Sequence, residues 1–273
     1  MTTLRPDVAR AAYARWPDLA PAWTDALSGE LADVCAALSV TPTGRTFPAR
    51  SAHVIEATTG SGARLVLRST PDPHAVHQAA VLARLAQAGL APAVHLVRQT
   101  VTGVWTAMDI VEPGTSFAER EPKPRDLASI ATMLRTLSTE QAPPSVPSIM
   151  GWLRTRLTDP PADDQPPHRG PEPAAVRQTA TLVLDQLATH MPAALCHADL
   201  SPPNLLHGNS RLWFIDPRGM SGEAAYDIAV LALKLSDDQL DTARALARSI
   251  ALSSGTDPDR AEAWVSVADA ATV

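Results

Sequence analysis

One stretch decides how this chain folds: Cys196-His-Ala-Asp-Leu-Ser-Pro-Pro-Asn-Leu-Leu-His-Gly-Asn-Ser-Arg-Leu-Trp-Phe-Ile-Asp-Pro-Arg-Gly219. Two apolar-rich runs within it, residues 205–207 and 211–215, flank Gly208-Asn209-Ser210, three residues that favour a tight chain reversal. The pattern predicts a β-hairpin. Because Asn204 precedes its first strand and Asp216 follows its second, the turn would bring these two side chains together.

The polar side chains around this hairpin suit phosphoryl transfer. An amide and a carboxylate, Asn204 and Asp216, offer the oxygen ligands that Mg²⁺ prefers, and Mg²⁺ completes its shell with waters and substrate phosphates. The remaining carboxylate, Asp199, is then free to orient a hydroxyl and accept its proton. The alternative is structural, with turn and strand-end side chains that only bond local backbone groups.

The spacing of these residues resembles that of a known family. His197-x-Asp199-x4-Asn204, followed by Ile-Asp216, is similar to the catalytic and metal-binding loops of the aminoglycoside phosphotransferases. The run from Trp213 to Asp227 resembles most closely the branch of streptomycin 6-phosphotransferases and hydroxyurea kinases. The resemblance covers about residues 40–268. It implies ATP and Mg²⁺ as cofactors and an α+β, protein-kinase-like fold of two lobes, a small β-rich N-lobe and a larger α-helical C-lobe.

Composition sets the frame for this interpretation. The chain of 273 residues is 45% hydrophobic, and its net charge is −6 without a block of Lys and Arg, which argues against nucleic acid as a partner. No apolar run approaches the roughly 20 residues of a membrane span, and the N-terminus lacks a signal-peptide pattern. We therefore expect a cytoplasmic protein that binds a nucleotide and a small polar acceptor with a hydroxyl, and no membrane. The oligomeric state is not readable.

Periodicity and turn residues divide the chain into three parts. Residues 1–38 read as a helical extension and residues 39–112 as the N-lobe, in which His53–Thr58 and Arg64–Thr70 are strands around a Gly-rich turn. Residues 113–273 read as the C-lobe. The Pro- and Asp-rich run Asp159–Pro173 predicts a surface loop.

The resemblance also implies a cation on the third N-lobe strand that holds the nucleotide phosphates. Neither lysine, Lys123 or Lys234, lies on a predicted N-lobe strand, and Arg68 stands by pattern where the family has its cation. Its planar guanidinium can bind two phosphate oxygens. Gln78, in the following helix, stands where the family has a glutamate, and a neutral amide offers no compensating charge. The alternative for Arg68 is a strand-end surface charge.

Four further residues receive roles from the resemblance. Two residues are candidates for nucleotide contacts. Ser51 ends the predicted first N-lobe turn, Thr43–Ser51, although an ordinary loop explains Ser51 equally. Val111 directly precedes Glu112-Pro113-Gly114, where a hinge between the lobes is predicted. His197 would brace the catalytic loop through nearby backbone. Asp227 would bond the backbone of that loop, which physically is close to a plain helix N-cap.

The first functional hypothesis is an ATP-dependent kinase that phosphorylates a hydroxyl of a small polar molecule, with aminoglycoside-type antibiotics or related metabolites as the acceptor class. A kinase for Ser or Thr of a biosynthetic peptide is the alternative within the same chemistry. A binding module that keeps the fold without turnover is the alternative outside it, and Arg68 and Gln78 are the residues that favour it.

Overall fold

The computed structural model describes residues 3–120, 122–159, 172–237 and 239–272. The chain divides into two compact units. The first runs through Ala79 and resumes from Pro92 to Val111, and the second comprises Ala80–Ala91 and the chain from Glu112 on. The predicted surface loop at 159–173 falls almost wholly on residues outside those described. None of the helices in the described ranges has the length and apolar character needed to cross a membrane.

The first unit is a β-sheet with helices. Its sheet has the strand order β1-β2-β3-β5-β4 with antiparallel neighbours throughout. The register pairs Arg68 of β3 with Val54 of β2 and with Thr106 of β5, so Arg68 lies on the central strand. The elements are α1 (Pro6–Arg15), α2 (Ala20–Leu38), β1 (Val40–Thr46), β2 (His53–Thr59), β3 (Arg64–Thr70), β4 (Val94–Gln99) and β5 (Val104–Asp109).

The N-terminal helices share a core with this sheet. Trp23 of α2 is fully buried, and its Nε1 donates to Ser69 Oγ of β3 at 2.9 Å. Trp105 of β5 is equally buried, and its Nε1 donates to Glu30 of α2 at 2.7 Å. Indole rings bury large apolar areas, and each buried N–H needs a partner, so these two bonds also fix the orientation of α2 on the sheet. Residues 3–38 therefore pack within the first unit.

The second unit is mainly helical. Helix α3 (Ala75–Gln87) begins in the first unit and ends in the second. The other helices are α4 (Pro124–Ser138), α5 (Ile149–Thr158), α6 (Ala174–Ala188), α7 (Ala224–Leu235), α8 (Leu240–Ser254) and α9 (Pro258–Ala270). The strands are β6 (Pro113–Ser116), β7 (Ala194–Leu195), β8 (Leu205–Gly208), β9 (Leu212–Phe214) and β10 (Ser221–Gly222), which form one sheet of order β6-β8-β9 and one pair, β7 with β10.

Helix α7 is the centre of the second unit. Every residue from Ala224 to Leu233 is buried, including the aspartate Asp227. A helix that is apolar on all sides must be surrounded by other elements, and α7 packs against α4, α8 and α9. The predicted α+β class is confirmed, with the larger sheet in the N-terminal region and most of the described helices in the C-terminal region.

Two features of the first unit were not predicted from the sequence. The segment predicted as the turn Thr43–Ser51 is strand β1 as far as Thr46, and only the residues after it, with Ser51 among them, form the bend before β2. Strand β4 was also missed. Both are edge strands, and β1 carries a single buried residue, Val40, together with Pro42, so the alternation that signals a strand is absent.

Candidate functional site

The predicted hairpin is confirmed and its register is defined. Leu205 of β8 pairs with Phe214 of β9, and the Ile215 N–H donates to the Asn204 carbonyl at 3.0 Å. Glycine suits position 208 because a Cβ there would lie 2.7 Å from Nε1 of Trp213, so the indole ring would have to shift to make room for it. The register therefore puts the backbone of Asn204 directly beside that of Ile215, the residue before Asp216.

A short 3₁₀ turn, Pro202–Asn204, presents the amide of Asn204. Its Nδ2 donates to the backbone carbonyl of Asp199 at 2.8 Å, and the same carbonyl accepts the N–H of Ser201 at 2.8 Å. Because the nitrogen end of the amide is used inside the loop, Oδ1 is the end presented as a metal ligand. One side chain thus joins the loop of Asp199 to the start of the hairpin.

The second candidate metal ligand lies just beyond the hairpin. Asp216 is exposed and has φ +54°, a left-handed conformation that aspartate tolerates better than most residues. A carboxylate and an amide oxygen on neighbouring backbone segments are hard oxygen donors, a chemistry that would suit Mg²⁺ with waters and phosphate oxygens in the remaining positions. Within the described residues no group of three or more His, Cys, Asp or Glu side chains could hold a metal.

The candidate proton acceptor, Asp199, keeps its carboxylate partly accessible, with 39% of the side chain exposed. Its Oδ2 lies 3.3 Å from Nη2 of Arg218. The Asp199 N–H donates to Nδ1 of His197 at 3.3 Å. The carboxylate is therefore held from one side by a guanidinium, while its backbone is tied to the preceding histidine.

His197 is a fully buried brace. Its Nε2 bonds the Ile215 carbonyl at 2.8 Å, and because a carbonyl only accepts, Nε2 carries the proton. That tautomer leaves Nδ1 as the acceptor for Asp199 N–H. The ring also packs edge-on against Phe214, with centroids 5.6 Å apart. The histidine thus links the loop of Asp199 to the end of β9.

Asp227 binds the backbone of the same loop. Its two carboxylate oxygens accept the N–H groups of His197 and Ala198, each at 2.8 Å. Ala198 has φ +63°, a left-handed conformation that is costly for alanine, and the two bonds hold it there. Burial raises the pKa of Asp227, and the two N–H donors act in the opposite direction. The thiol of Cys196, also fully buried, has a pKa well above its usual value, chiefly because of burial and then because of Asp227.

Two of the nucleotide-binding candidates in the first unit, Arg68 and Gln78, form a hydrogen-bonded network with Asp72. Nη2 of Arg68 donates to Oε1 of Gln78 at 3.3 Å, and Nε2 of Gln78 donates to Oδ2 of Asp72 at 2.9 Å. Oδ1 of Asp72 accepts the N–H of His74 at 2.8 Å, just before α3 begins. Ser51 lies in the bend between β1 and β2, and Val111 is half-buried at the end of the first unit.

Sequence reasoning missed two members of these networks, Asp72 and Arg218. Asp72 stands just before the helix that was predicted around Gln78, a position where aspartate commonly caps backbone N–H groups, so its presence near Gln78 had a weak signal. Arg218 lies inside the quoted stretch, but nothing in the spacing says that its side chain returns to Asp199. That return depends on the loop after β9, where the Arg218 N–H donates to the His197 carbonyl at 2.9 Å.

This combination of a β-rich N-terminal region, a helical C-terminal region and a catalytic-type loop before a hairpin is that of a kinase-like phosphotransferase. The model of the phosphotransferase enzyme family, APH, matches residues 43–264. The chain belongs to this family, and it is an enzyme that phosphorylates hydroxyl groups. A sequence comparison with curated proteins finds no match.

Solved structures show the same fold at low identity. Aminoglycoside phosphotransferase APH(3'')-Id from Streptomyces rimosus, in complex with ADP and streptomycin, gives a TM-score of 0.61 at 18% identity, over 91% of this chain and 99% of that chain. Choline kinase LicA from Streptococcus pneumoniae gives 0.60 at 14%, over 85% and 80%. A choline/ethanolamine kinase family protein from Mesorhizobium loti gives 0.57 at 21%, over 81% and 75%.

Proposed function

We propose that this enzyme transfers the γ-phosphoryl group of ATP to a hydroxyl of a small polar molecule, with Asp199 as the proton acceptor. The observation that carries the proposal is the arrangement of Asp199, Asn204 and Asp216 around one loop and one hairpin, tied together by the bond from Asn204 to Asp199. Family membership supports the reaction class. The ADP in the Streptomyces rimosus structure supports the adenine nucleotide.

The roles of the residues follow from their chemistry. Asp199 orients the acceptor hydroxyl and takes its proton as the oxygen bonds to the γ-phosphorus and the bond to the β-phosphate oxygen breaks. Asn204 and Asp216 hold Mg²⁺, which neutralises charge on the phosphate oxygens. His197 and Asp227 keep the loop in shape through its backbone. Arg68, supported by Gln78, binds the nucleotide phosphates, and Ser51 and Val111 add nucleotide contacts.

For the acceptor we propose an aminoglycoside-type antibiotic or a related metabolite. The support is the motif resemblance to the streptomycin kinase branch and the streptomycin in the Streptomyces rimosus structure. Fold and loop motifs specify phosphoryl transfer better than they specify the acceptor, so the acceptor needs a direct test. The cytoplasmic location expected from the sequence stays a prediction.

The test is a screen of ADP release from MgATP with streptomycin, other aminoglycosides, choline and a Ser-containing peptide, each against a no-acceptor control. We expect turnover with a small-molecule acceptor and a fall in kcat of about 10²–10⁴ in Asp199→Ala, with ATP binding retained. Turnover with the peptide and with none of the small molecules would refute the proposal of a small-molecule acceptor. Near-normal turnover of Asp199→Ala would refute the assignment of the proton acceptor.

A further inference from the structure

Arg218 makes three contacts with three consecutive residues of the loop that carries Asp199. Its backbone N–H donates to the carbonyl of His197 at 2.9 Å, and its Nε donates to the carbonyl of Ala198 at 3.2 Å. Its Nη2 lies 3.3 Å from Asp199 Oδ2. A guanidinium with donors in a fixed planar fork can make the last two contacts only in one orientation.

An aromatic ring holds that orientation. The guanidinium carbon of Arg218 lies 4.5 Å from the ring centroid of Trp152 in α5, within the range of a cation–π contact. The guanidinium of Arg156, one turn later in α5, lies 5.0 Å from the centroid of the same ring. Arg156 is only 4% exposed, and it donates to the carbonyls of Ala271 and Thr272 at 2.8 Å each. The ring on which Arg218 rests is therefore itself fixed.

We propose that Arg218 is a positioning residue for phosphoryl transfer: it fixes the carboxylate of Asp199 in one rotamer, and Trp152 fixes Arg218. This inference rests on the proposed function. Because Oδ2 is held by Arg218, Oδ1 is the oxygen that accepts the hydroxyl proton. The carboxylate is partly exposed on a short side chain, so without the guanidinium it would sample other rotamers. A reacting group that is out of place lowers the rate of the chemical step much more than it weakens substrate binding.

Charge alone does not account for the arrangement. A lysine at position 218 would keep the positive charge beside Asp199, but a point charge cannot also bond the Ala198 carbonyl and lie flat on Trp152. Arg218→Lys should therefore retain part of the parent kcat, whereas Arg218→Gln should retain less. Trp152→Leu removes the cation–π contact, and Trp152→Phe retains a smaller aromatic face.

The experiment measures MgATP hydrolysis by water and phosphoryl transfer to streptomycin, with kcat, KM for MgATP and melting temperature for each variant. We expect kcat in Arg218→Gln to fall by about 10- to 100-fold, a part of the 10²–10⁴ typical of the proton acceptor itself. KM for MgATP should stay within about twofold. Arg218→Lys and Trp152→Leu should each lose roughly three- to tenfold in kcat, and Trp152→Phe less.

Arg154→Gln is the matched control. It makes the same change of charge on the helix that carries Trp152, but Arg154 forms an exposed ion pair with Asp185 at 2.8 Å, and we expect parent kinetics. Parent kcat in Arg218→Gln, or a raised KM for MgATP with unchanged kcat, would overturn the proposal. If Arg218→Gln does not fold, parent kcat in both Arg218→Lys and Trp152→Leu would overturn it. A wild-type enzyme that is inert toward water and toward every acceptor of the screen above would instead refute the proposed function, and the role of Arg218 with it.

Discussion

Replacing Asp227 with alanine should be among the most damaging single changes in the second unit. The carboxylate is fully buried, and it accepts the N–H groups of His197 and Ala198 at 2.8 Å each. Alanine removes both acceptors from a site without access to water. A buried donor left without a partner costs about 1–3 kcal/mol, so the two together cost roughly 2–6 kcal/mol.

The net loss of stability in Asp227→Ala also depends on the strained backbone of Ala198. Its left-handed conformation, φ +63°, costs about 1–2 kcal/mol, and the loop recovers part of this when Asp227 no longer holds it. We expect the free energy of unfolding to fall by about 2–5 kcal/mol, because two buried N–H groups lose their acceptor while part of the backbone strain is released. The melting temperature should fall by roughly 5–20 °C. Because the loop carries Asp199, kcat should fall as well.

The assay is urea unfolding followed by tryptophan fluorescence and, separately, by far-UV circular dichroism. Trp264 is buried in the second unit and packs edge-on against Tyr226, the neighbour of Asp227, at a centroid distance of 5.3 Å, so its emission reports on this region. Coincidence of the two transitions tests whether a single free energy describes the unfolding.

The control is Asp241→Ala, which removes a carboxylate that is 100% exposed and pairs with Arg244 at 3.5 Å. That change should cost no more than about 0.5 kcal/mol. A loss in Asp227→Ala below about 1 kcal/mol, or one equal to that of Asp241→Ala, would refute the conclusion that these two bonds hold the loop.

Three further outcomes are expected. Asp216→Ala should abolish the magnesium dependence of ATP binding, because it removes the strongest oxygen ligand of the site; a magnesium dependence in the variant as large as that of the parent would place the metal elsewhere. Arg68→Ala should weaken ATP binding and lower kcat together, and Arg68→Lys should restore only part of each, with ATP affinity measured by nucleotide titration. An ATP affinity of Arg68→Ala equal to that of the parent enzyme would show that Arg68 is only a surface charge. Gln78→Glu should weaken ATP binding by roughly two- to tenfold, because a carboxylate at 78 cannot donate to Asp72 and repels it, whereas stronger binding would show that the bond to Asp72 has no role.

Local residue chemistry was sufficient for the parts of this protein that depend on neighbours in the chain. The hairpin of β8 and β9 was predictable because its strands and turn are contiguous, and its ends necessarily bring Asn204 beside the segment of Asp216. Strands β2 and β3 were predictable for the same reason. The edge strand β1 was not, because an exposed edge needs no alternation of apolar residues. Strand β4 and helix α5 were also missed, although β4 alternates between half-buried and exposed residues and α5 has Ile149, Leu153 and Leu157 at four-residue spacing.

The composition of each charged network was decided only by the tertiary structure. In the sequence, Gln78 is notable only because it lacks the charge of a glutamate. In the structure Gln78 accepts a hydrogen bond from Arg68 and donates one to Asp72, so the carboxylate of Asp72 supports Arg68 through the amide of Gln78. Arg218 and Asp199 are nineteen positions apart, and Trp152 is farther still, yet their side chains meet. Motif spacing singles out Asp199, Asn204 and Asp216 because the roles proposed for them constrain residue type at fixed separations. Their supporting partners come from distant elements, and folding alone brings those elements together because burying apolar surface, rather than any local pattern, selects which of them pack.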